Sequence, residues 1–200
     1  MARDPLGRVY TPPHVAEACV ARLERLGLDL HLGGEVIEPG VGGGAFIDPI
    51  VKRWPEVNTI GVDLDPDAPG LAKVRYGFVA DFATWTDPAP SHPNTLVIGN
   101  PKFDDPKGRD PDAAKRIVER ALRLHPSWIA LLLPIEYVSL SKWQPLLDRL
   151  TDHNPIEGRV WPDVRAVAQY VWRPRLRSIP AEWRGTLIRP GKPDSQEKGP

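Results

Sequence analysis

The stretch EVIEPGVGGGAFIDPIVKRW, residues 35–54, decides the fold. Its first part, EVIEPG, predicts a short strand that enters a glycine-rich turn, and GAFIDPIVKRW predicts the following helix despite Pro49. The turn has G-x-G-x-x-A spacing, formed by Gly40, Gly42 and Ala45. Such turns bring the backbone and the N–H groups of a helix N-terminus close to a ligand. The order strand, glycine turn, helix predicts the first unit of a nucleoside-binding α/β sheet.

Strand and helix signals alternate along most of the chain. A helix is predicted from Thr11 to Leu26, ended by Gly27, and an amphipathic pattern predicts a second at 111–125. Another helix is predicted at 139–150, interrupted near Pro145. Strands are predicted at 35–40, 58–66, 76–82, 95–100, 127–137, 158–162 and 166–174, the last two antiparallel. This order predicts a doubly wound, Rossmann-like α/β fold with a seven-stranded mixed sheet.

The composition excludes several classes of protein. The chain has no run of about eighteen apolar residues, so no membrane-spanning helix is expected. The N-terminal residues lack the apolar segment of a secretory signal, and we therefore expect a cytoplasmic protein. The single cysteine, Cys19, excludes disulfide frameworks and cysteine-based zinc sites. The five histidines show no metal-ligand spacing, so no metal site is expected.

Length and charge predict one main domain with a basic end. We expect a single domain over residues 1–180, followed at 181–200 by a basic, proline-rich segment whose last dozen residues are disordered. The formal net charge is zero, which gives no overall nucleic-acid signature. Between Arg159 and Lys192, however, eight basic residues face two acidic ones. This excess either contacts phosphates or forms a solvated surface.

Acidic residues at the ends of the first three predicted strands indicate a cofactor. Asp63 follows Gly40 by 23 residues, where a carboxylate accepts the hydroxyls of a ribose. Glu38 would repel a pyrophosphate but suits the α-ammonium and sulfonium of S-adenosylmethionine. Asp81 would accept from the adenine amino group, and Phe82 would offer an apolar face to its ring. Leu64 is a further predicted cofactor contact, whereas turn residues alone are the alternative for such acids.

The fourth predicted strand ends in Asn100-Pro101-Lys102-Phe103, which suits methylation of an amino group. The amino nitrogen of adenine is a poor nucleophile, because its lone pair is delocalised into the ring. Two acceptors, the Asn100 side-chain oxygen and the Pro101 carbonyl, would free that lone pair, and Phe103 would stack on the base. Asn100 would also contact the cofactor. A plain Asn-Pro turn is the alternative interpretation.

These motifs together resemble the class I S-adenosylmethionine-dependent methyltransferases. The order Tyr10-Thr11-Pro12-Pro13, Glu38 to Phe46, Asp63, Asp81-Phe82 and Asn100 to Phe103 is similar to that of small, phage-type adenine-N6 DNA methyltransferases. The resemblance covers about residues 9–174. It implies S-adenosylmethionine as cofactor, DNA rather than RNA as substrate, and contacts from Tyr10 and Thr11 to the methionine moiety.

Two departures from the family pattern concern the substrate. Lys102 replaces the usual second proline, and either contacts a phosphate or points to water. The chain after residue 174 is too short for the recognition domain that sequence-specific relatives carry, so weak or short-sequence specificity is expected. The closing segment is similar to the family's base-pocket motifs, which implies that Trp161 and Tyr170 line the target-base pocket. Core or surface packing is expected for the other tryptophans at 143, 172 and 183.

Other functions compete with this hypothesis. A protein-glutamine methyltransferase meets the same lone-pair problem, and an RNA adenine methyltransferase would use the same residues. A non-catalytic module could keep the fold and only bind nucleic acid or a partner. A nicotinamide-dependent oxidoreductase is disfavoured by Glu38 and by the Asn-Pro tetrapeptide.

Overall fold

The computed structural model describes residues 10–86, 92–102, 112–156 and 166–174. The strands are β1 (Glu35–Pro39), β2 (Asn58–Asp63), β3 (Tyr76–Val79), β4 (Thr95–Gly99), β5 (Trp128–Pro134), β6 (Leu150–Pro155) and β7 (Val167–Trp172). The helices are α1 (Pro13–Arg25), α2 (Ile47–Arg53), α3 (Ala113–Arg123) and α4 (Gln144–Leu147). Short 3₁₀ helices lie at Pro69–Ala72, Ile135–Ser139 and Ser141–Trp143.

The seven strands form one sheet in the order β3-β2-β1-β4-β5-β7-β6. Strands β1 to β5 pair in parallel, and β7 is antiparallel to both β5 and β6. The doubly wound mixed sheet predicted from the sequence is therefore confirmed. The winding reverses between β1 and β4, and α/β sheets bind ligands at the carboxyl ends of the strands beside such a reversal.

Both faces of the sheet are covered by apolar side chains. Successive residues of a strand point to opposite faces, so Val36 of β1 contributes to one core and Ile37 to the other. The first core packs against α1 and α2 and includes Val15, Cys19, Leu23, Ile50 and Ile98. The second packs against α3 and α4 and includes Val97, Val118, Leu146, Tyr170 and Trp172. Burial on both faces is what central parallel strands require.

Three of the predicted helices are present. Helix α1 begins at Pro13 and stops before Gly27, which has φ +91°. Pro49 lies in the first turn of α2, where its missing N–H would have no helical partner. The buried face of α3 consists of Ala114, Val118 and Ala121, whereas Ile117 is only partly buried. Within the described residues, none of the helices has the length and apolar character needed to cross a membrane.

The predicted helix at 139–150 is wrong. This segment forms a 3₁₀ helix at Ser141–Trp143 and the four-residue α4, and Leu150 already belongs to β6. Pro145 lies in the first turn of α4, because proline lacks the N–H that a position further inside a helix must donate. A longer helix through Pro145 would therefore lose a hydrogen bond and clash.

The sixth strand lies where the sequence predicted none. β6 includes Asp152, His153, Asn154 and Pro155, which have low strand propensity and no apolar alternation. It forms because it pairs with β7. The strand predicted at 158–162 lies outside the described residues.

Candidate active site

The ends of β1, β2 and β4 form one edge at which most of the predicted site residues meet. Pro39 at the end of β1 pairs with Val62 of β2. A Cβ atom on Gly99, the last residue of β4, would lie 3.1 Å from the Pro39 carbonyl oxygen. Because the two strands end level with each other, Asn100 leaves the sheet beside the glycine turn that begins at Gly40.

The glycine turn, residues 40–44, is fixed by hydrogen bonds to β2 and to the 3₁₀ helix at Pro69–Ala72. The Gly40 N–H donates to the Val62 carbonyl at 2.7 Å, and the Gly70 N–H donates to the Gly42 carbonyl at 2.7 Å. Gly42 has φ +48°, a conformation that other residues adopt only with strain. A Cβ on Gly70 would lie 2.7 Å from the Gly44 nitrogen, so only glycine permits this approach. The sequence does not predict a role for Gly70, because Gly70 contacts the glycine turn from a distant part of the chain.

The N-terminal segment reaches the same turn. The Tyr10 ring lies on Gly42 and Gly43, with its Cε1 atom 3.1 Å from the position of a Cβ on Gly42. Tyr10 remains 45% exposed, whereas Thr11 is 8% exposed. The structure thus brings the predicted Tyr10–Thr11 segment to the predicted glycine turn across about thirty residues of sequence.

Glu38 is a buried acid at the end of β1. It is 3% exposed, and its Oε2 atom has no hydrogen-bond partner in the described part of the chain. Burial raises its pKa well above the ordinary value, an effect that a hydrogen bond from the Phe46 N–H opposes. The ammonium of Lys73, which lowers this pKa, is itself bonded to Asp48 at 2.6 Å. Glu38 is therefore a carboxyl with little charge compensation beside an open turn.

Asp63, the residue predicted to bind the ribose, also fixes the glycine turn. Its Oδ2 atom accepts from the Gly42 N–H at 2.8 Å, and its Oδ1 atom accepts from the Asp65 N–H at 2.9 Å. Each carboxylate oxygen has a second lone pair, so a further hydrogen bond is chemically possible. The adjacent Leu64 is 71% exposed and presents an apolar side chain at the same strand end.

The segment after β3 holds the predicted adenine residues. Asp81 accepts from the Ala83 N–H through Oδ1 at 2.9 Å, which fixes a local turn. Phe82 is 4% exposed and stacks on Trp85, with ring centroids 5.9 Å apart. Phe82 thus belongs largely to the core, with at most an edge toward a ligand. Trp85 was not predicted, because no local sequence pattern indicates that its ring stacks on Phe82.

Asn100 combines burial with an unsatisfied acceptor. Its side-chain Oδ1 is buried and meets no hydrogen-bond donor among the residues that the structure describes. Pro101 is buried and Lys102 is exposed. The predicted Phe103 and Trp161 lie outside the described residues. A buried amide oxygen without a donor costs about 1–3 kcal/mol, so an incoming N–H donor would be stabilised there.

The aromatic residues of β7 belong to the core. Tyr170 is fully buried, and its hydroxyl donates to the Pro134 carbonyl at 2.8 Å. The prediction that Tyr170 lines a base pocket is therefore wrong. Trp143 and Trp172 are buried as expected. Among the described residues no group of histidine, cysteine or acidic side chains could hold a metal ion.

Comparison with curated proteins identifies methyltransferases as relatives of parts of the chain. No protein-family model matches it. The type II methyltransferase M.TthHB8I of Thermus thermophilus is 33% identical over 99 residues, 49% of this chain and 21% of that protein. The type II methyltransferase M.CvrRI of Paramecium bursaria Chlorella virus XZ-6E is 30% identical over 134 residues, 58% of this chain and 34% of that protein. A Synechococcus ribosomal RNA small subunit methyltransferase H is 36% identical over 86 residues, 39% of this chain and 28% of that protein.

Solved structures match more of the chain. A Listeria monocytogenes protein described as a class I S-adenosylmethionine-dependent methyltransferase has a TM-score of 0.65 at 12% identity, over 90% of this chain and 64% of that one. The type I restriction–modification methyltransferase subunit of Streptococcus thermophilus has a TM-score of 0.63 at 17% identity, over 88% of this chain and 47% of that one. With the sheet order, these likenesses show that the chain has the class I methyltransferase fold.

Proposed function

We propose that this chain binds S-adenosylmethionine at the edge formed by β1, β2 and β4 and transfers the methyl group to the N6 amino group of adenine in nucleic acid, DNA in the first place. The observation that carries the proposal is the buried, unpartnered Oδ1 of Asn100 beside the glycine turn. The methyltransferase fold supports the reaction class, and the unpartnered acceptor supports an amino group as the target.

The residues around the glycine turn fit this cofactor. The unpartnered Oε2 of Glu38 suits the α-ammonium group, and the free lone pairs of Asp63 suit the ribose hydroxyls. In this proposal the cofactor contacts are Tyr10, Thr11, Glu38, Gly40, Gly42, Asp63, Leu64, Asp81, Phe82 and Asn100. Gly40 and Gly42 let the backbone approach the ligand, while Tyr10 covers the turn.

S-adenosylmethionine supplies an electrophilic methyl group on its sulfonium. Asn100 accepts one hydrogen of the target amino group through Oδ1, and the Pro101 carbonyl accepts the other. Both acceptors withdraw the amino hydrogens from the plane of the base, which frees the nitrogen lone pair for attack. The nitrogen–methyl bond would form as the methyl–sulfur bond breaks, with S-adenosylhomocysteine as the leaving group, and the methylated nitrogen would lose one proton to the solvent. Proline fixes φ and holds its carbonyl in place, so positioning does much of the catalytic work.

The remaining substrate contacts follow from the family resemblance. Phe103 stacks on the target base, and Trp161 contributes to its pocket. Lys102 departs from the family pattern, and its phosphate contact is proposed because it is an exposed cation directly after Pro101. A base in duplex DNA must leave the stack to reach Asn100. Residues 1–180 act as one domain in this proposal, with the basic segment beyond Arg159 tracking the phosphates.

DNA is placed before RNA because two of the relatives are named as type II methyltransferases. RNA is the second candidate, since one relative is named as a ribosomal RNA methyltransferase. The chain spans at most about a third of these relatives, so their substrates suggest but do not fix the substrate here.

The test is transfer of tritium from methyl-labelled S-adenosylmethionine to unmethylated duplex DNA, total RNA and a protein extract. We expect label in DNA, recovered as N6-methyladenine, and its loss in Asn100→Ala. Label in RNA alone would keep the mechanism and change the substrate. Label in protein glutamine would contradict adenine as the target. Cofactor binding without transfer to any of the three would contradict the enzymatic proposal and favour a binding module.

A further inference from the structure

Glu38 is the acid whose charge state matters most for the site. It is 3% exposed, and within the described residues its Oε2 atom meets no hydrogen-bond donor. A carboxylate removed from water without a cation beside it costs several kcal/mol, so such a group keeps its proton instead. The groups around Glu38 therefore determine whether its carboxyl is charged in the cofactor-free protein.

More of the charged groups that face Glu38 are acidic than basic. Helix α2 contributes Asp48 and β2 contributes Asp63, and both raise the pKa of Glu38. Lys73, which follows the 3₁₀ helix at Pro69–Ala72, lowers it, but the Lys73 ammonium is bonded to Asp48 at 2.6 Å. The Phe46 N–H is the hydrogen-bond donor that lowers this pKa. Burial remains the largest effect, and it favours the neutral acid.

We propose that binding of the cofactor expels a proton from Glu38, which is a neutral acid in the free protein and becomes a carboxylate when the α-ammonium group arrives. This inference rests on the proposed function, because it takes S-adenosylmethionine as the ligand of this edge. The O–H bond of Glu38 breaks, its proton passes to the solvent, and an ammonium N–H donates to the carboxylate left behind. One positive charge enters as one leaves, so the buried site stays balanced.

This exchange avoids two unfavourable states. A buried carboxylate without the cofactor would lack a partner, and a buried ammonium beside a neutral acid would have no counter-charge from the protein, only the carboxylate of the ligand itself. The exchange also makes affinity depend on pH. While the pH is below the pKa of Glu38 in the free protein, affinity rises about tenfold per pH unit, because binding must displace one proton. Above that pKa affinity no longer changes through Glu38.

Calorimetric titration with S-adenosylhomocysteine tests the exchange. This ligand carries the same α-ammonium group and cannot transfer a methyl group. Titrations at one pH in buffers of different ionisation enthalpy give the number of protons released. At about pH 6 the ligand's amino group is already protonated, since an α-amino group titrates near 8. We expect proton release at the acidic end of the pH series, which falls toward zero as the pH of the experiment rises.

Two controls assign the proton. The ligand 5′-methylthioadenosine lacks the amino-acid part and is expected to bind without proton release. Glu38→Gln is expected to abolish proton release on binding of S-adenosylhomocysteine and to lower the affinity for that ligand. Its effect on the affinity for 5′-methylthioadenosine is expected to be smaller. If the variant does not fold, the infrared difference spectrum of the wild type is decisive, because a protonated-carboxyl band must disappear on binding.

The outcomes separate this inference from the function on which it rests. If S-adenosylhomocysteine binds with no buffer dependence from about pH 5 to 8, which brackets the range between acid and α-amino titration, Glu38 is already ionised and the inference fails alone. Equal proton release from Glu38→Gln would also overturn it. If neither S-adenosylmethionine nor S-adenosylhomocysteine binds the wild-type protein, the proposed function fails and takes this inference with it.

Discussion

Two regions of the described structure bury polar atoms that have no hydrogen-bond partner, and they differ in where those atoms lie. At the carboxyl edge the atoms are Glu38 Oε2, two residues before the exposed Gly40, and Asn100 Oδ1, directly after the end of β4. The second region, the α1–β6–β7 polar cluster, consists of Arg22, Asp152, Asn154 and Gln169. All four of its residues are at most 3% exposed.

The α1–β6–β7 polar cluster is sealed between a helix and the sheet. Arg22 of α1 forms an ion pair with Asp152 of β6, and Gln169 of β7 donates to the Cys19 carbonyl at 3.3 Å. Asn154 is the cross-strand partner of Gln169, and both of its amide atoms lack partners. An unsatisfied polar atom is therefore not sufficient to mark a ligand site. What distinguishes Glu38 and Asn100 is their position at strand ends beside an open glycine turn.

The largest expected effect comes from breaking the ion pair in the cluster. Arg22→Met leaves Asp152 charged, buried and unpaired, which is expected to cost about 3–5 kcal/mol of unfolding free energy. Urea denaturation measures it. Lys115→Met, which breaks the i,i+4 pair with Glu119 on α3, is the control and is expected to cost about 1 kcal/mol or less.

The double variant Arg22→Met/Asp152→Leu sharpens this result. Replacing both charges with apolar side chains is expected to restore most of the lost stability, since neither charge then remains buried alone. Its affinity for S-adenosylhomocysteine is expected to equal that of the wild type. A large loss of affinity in a folded double variant would mean that the cluster belongs to the ligand site and would end the comparison.

Asn154→Leu is expected to stabilise the protein. It removes two buried amide atoms that have no partner, each of which costs about 1–3 kcal/mol, and substitutes a side chain of similar size. Asn94→Leu is the control, because the Asn94 amide donates to the Asp29 carbonyl and its loss is expected to destabilise by about 1 kcal/mol. Destabilisation by Asn154→Leu would show that its amide is satisfied in solution.

Gly42→Ala tests whether the glycine turn takes part in cofactor binding. The change imposes about 1–2 kcal/mol of backbone strain at φ +48° and brings a Cβ to 3.1 Å from the Tyr10 ring, so weaker cofactor binding is expected. Gly27→Ala carries the backbone strain without a contact within 4 Å and is expected to leave affinity unchanged. Tyr10→Ala in the Gly42→Ala background separates the contact from the strain. Equal affinity for the two glycine variants would show that the turn is not part of the site.

The last expected effect is a change in the pH dependence of stability, which is measured as a slope and not as a loss at one pH. The folded pKa of Glu38 lies above its unfolded value, so the native state holds the proton more tightly. Stability therefore falls as the pH rises from the unfolded through the folded pKa, by up to about 1.4 kcal/mol per pH unit. Glu38→Gln is expected to remove this slope in cofactor-free protein, with the exposed Glu56→Gln as control. An unchanged slope in denaturation measured across pH would mean that Glu38 is ionised.

The two regions also differ in how far the sequence could predict them. The glycine turn, Asp63 and Asn100 were predictable, because backbone approach to a ligand demands glycines and particular side chains at strand ends. The second bonding role of Asp63, which accepts from the Gly42 N–H, needed the structure. So did Gly70 and Trp85, which act only through residues that are distant in sequence.

No pattern in the sequence predicts the α1–β6–β7 polar cluster. Asp152 and Asn154 lie in a strand without apolar alternation, and the pairing with β7 holds that strand in place. The helix predicted at 139–150 with an interruption near Pro145 was wrong for a related reason, since β6 already begins at Leu150 and only Gln144–Leu147 is α-helical. Local patterns thus predicted the edge and missed the cluster, whose structure depends on tertiary contacts.

The most direct test of the account compares two buried asparagines by single-turnover methyl transfer. Asn100→Ala and Asn154→Ala each remove a buried amide oxygen without a partner, one at the edge and one in the cluster. With the nucleic acid that accepts label, we expect Asn100→Ala to lose about 100-fold or more of the transfer rate, as for loss of one aimed hydrogen bond in a preorganised site. Asn154→Ala is expected to retain the wild-type rate. Wild-type transfer by Asn100→Ala, or an equal loss in both variants, would contradict the assignment of this edge as the methyl-transfer site.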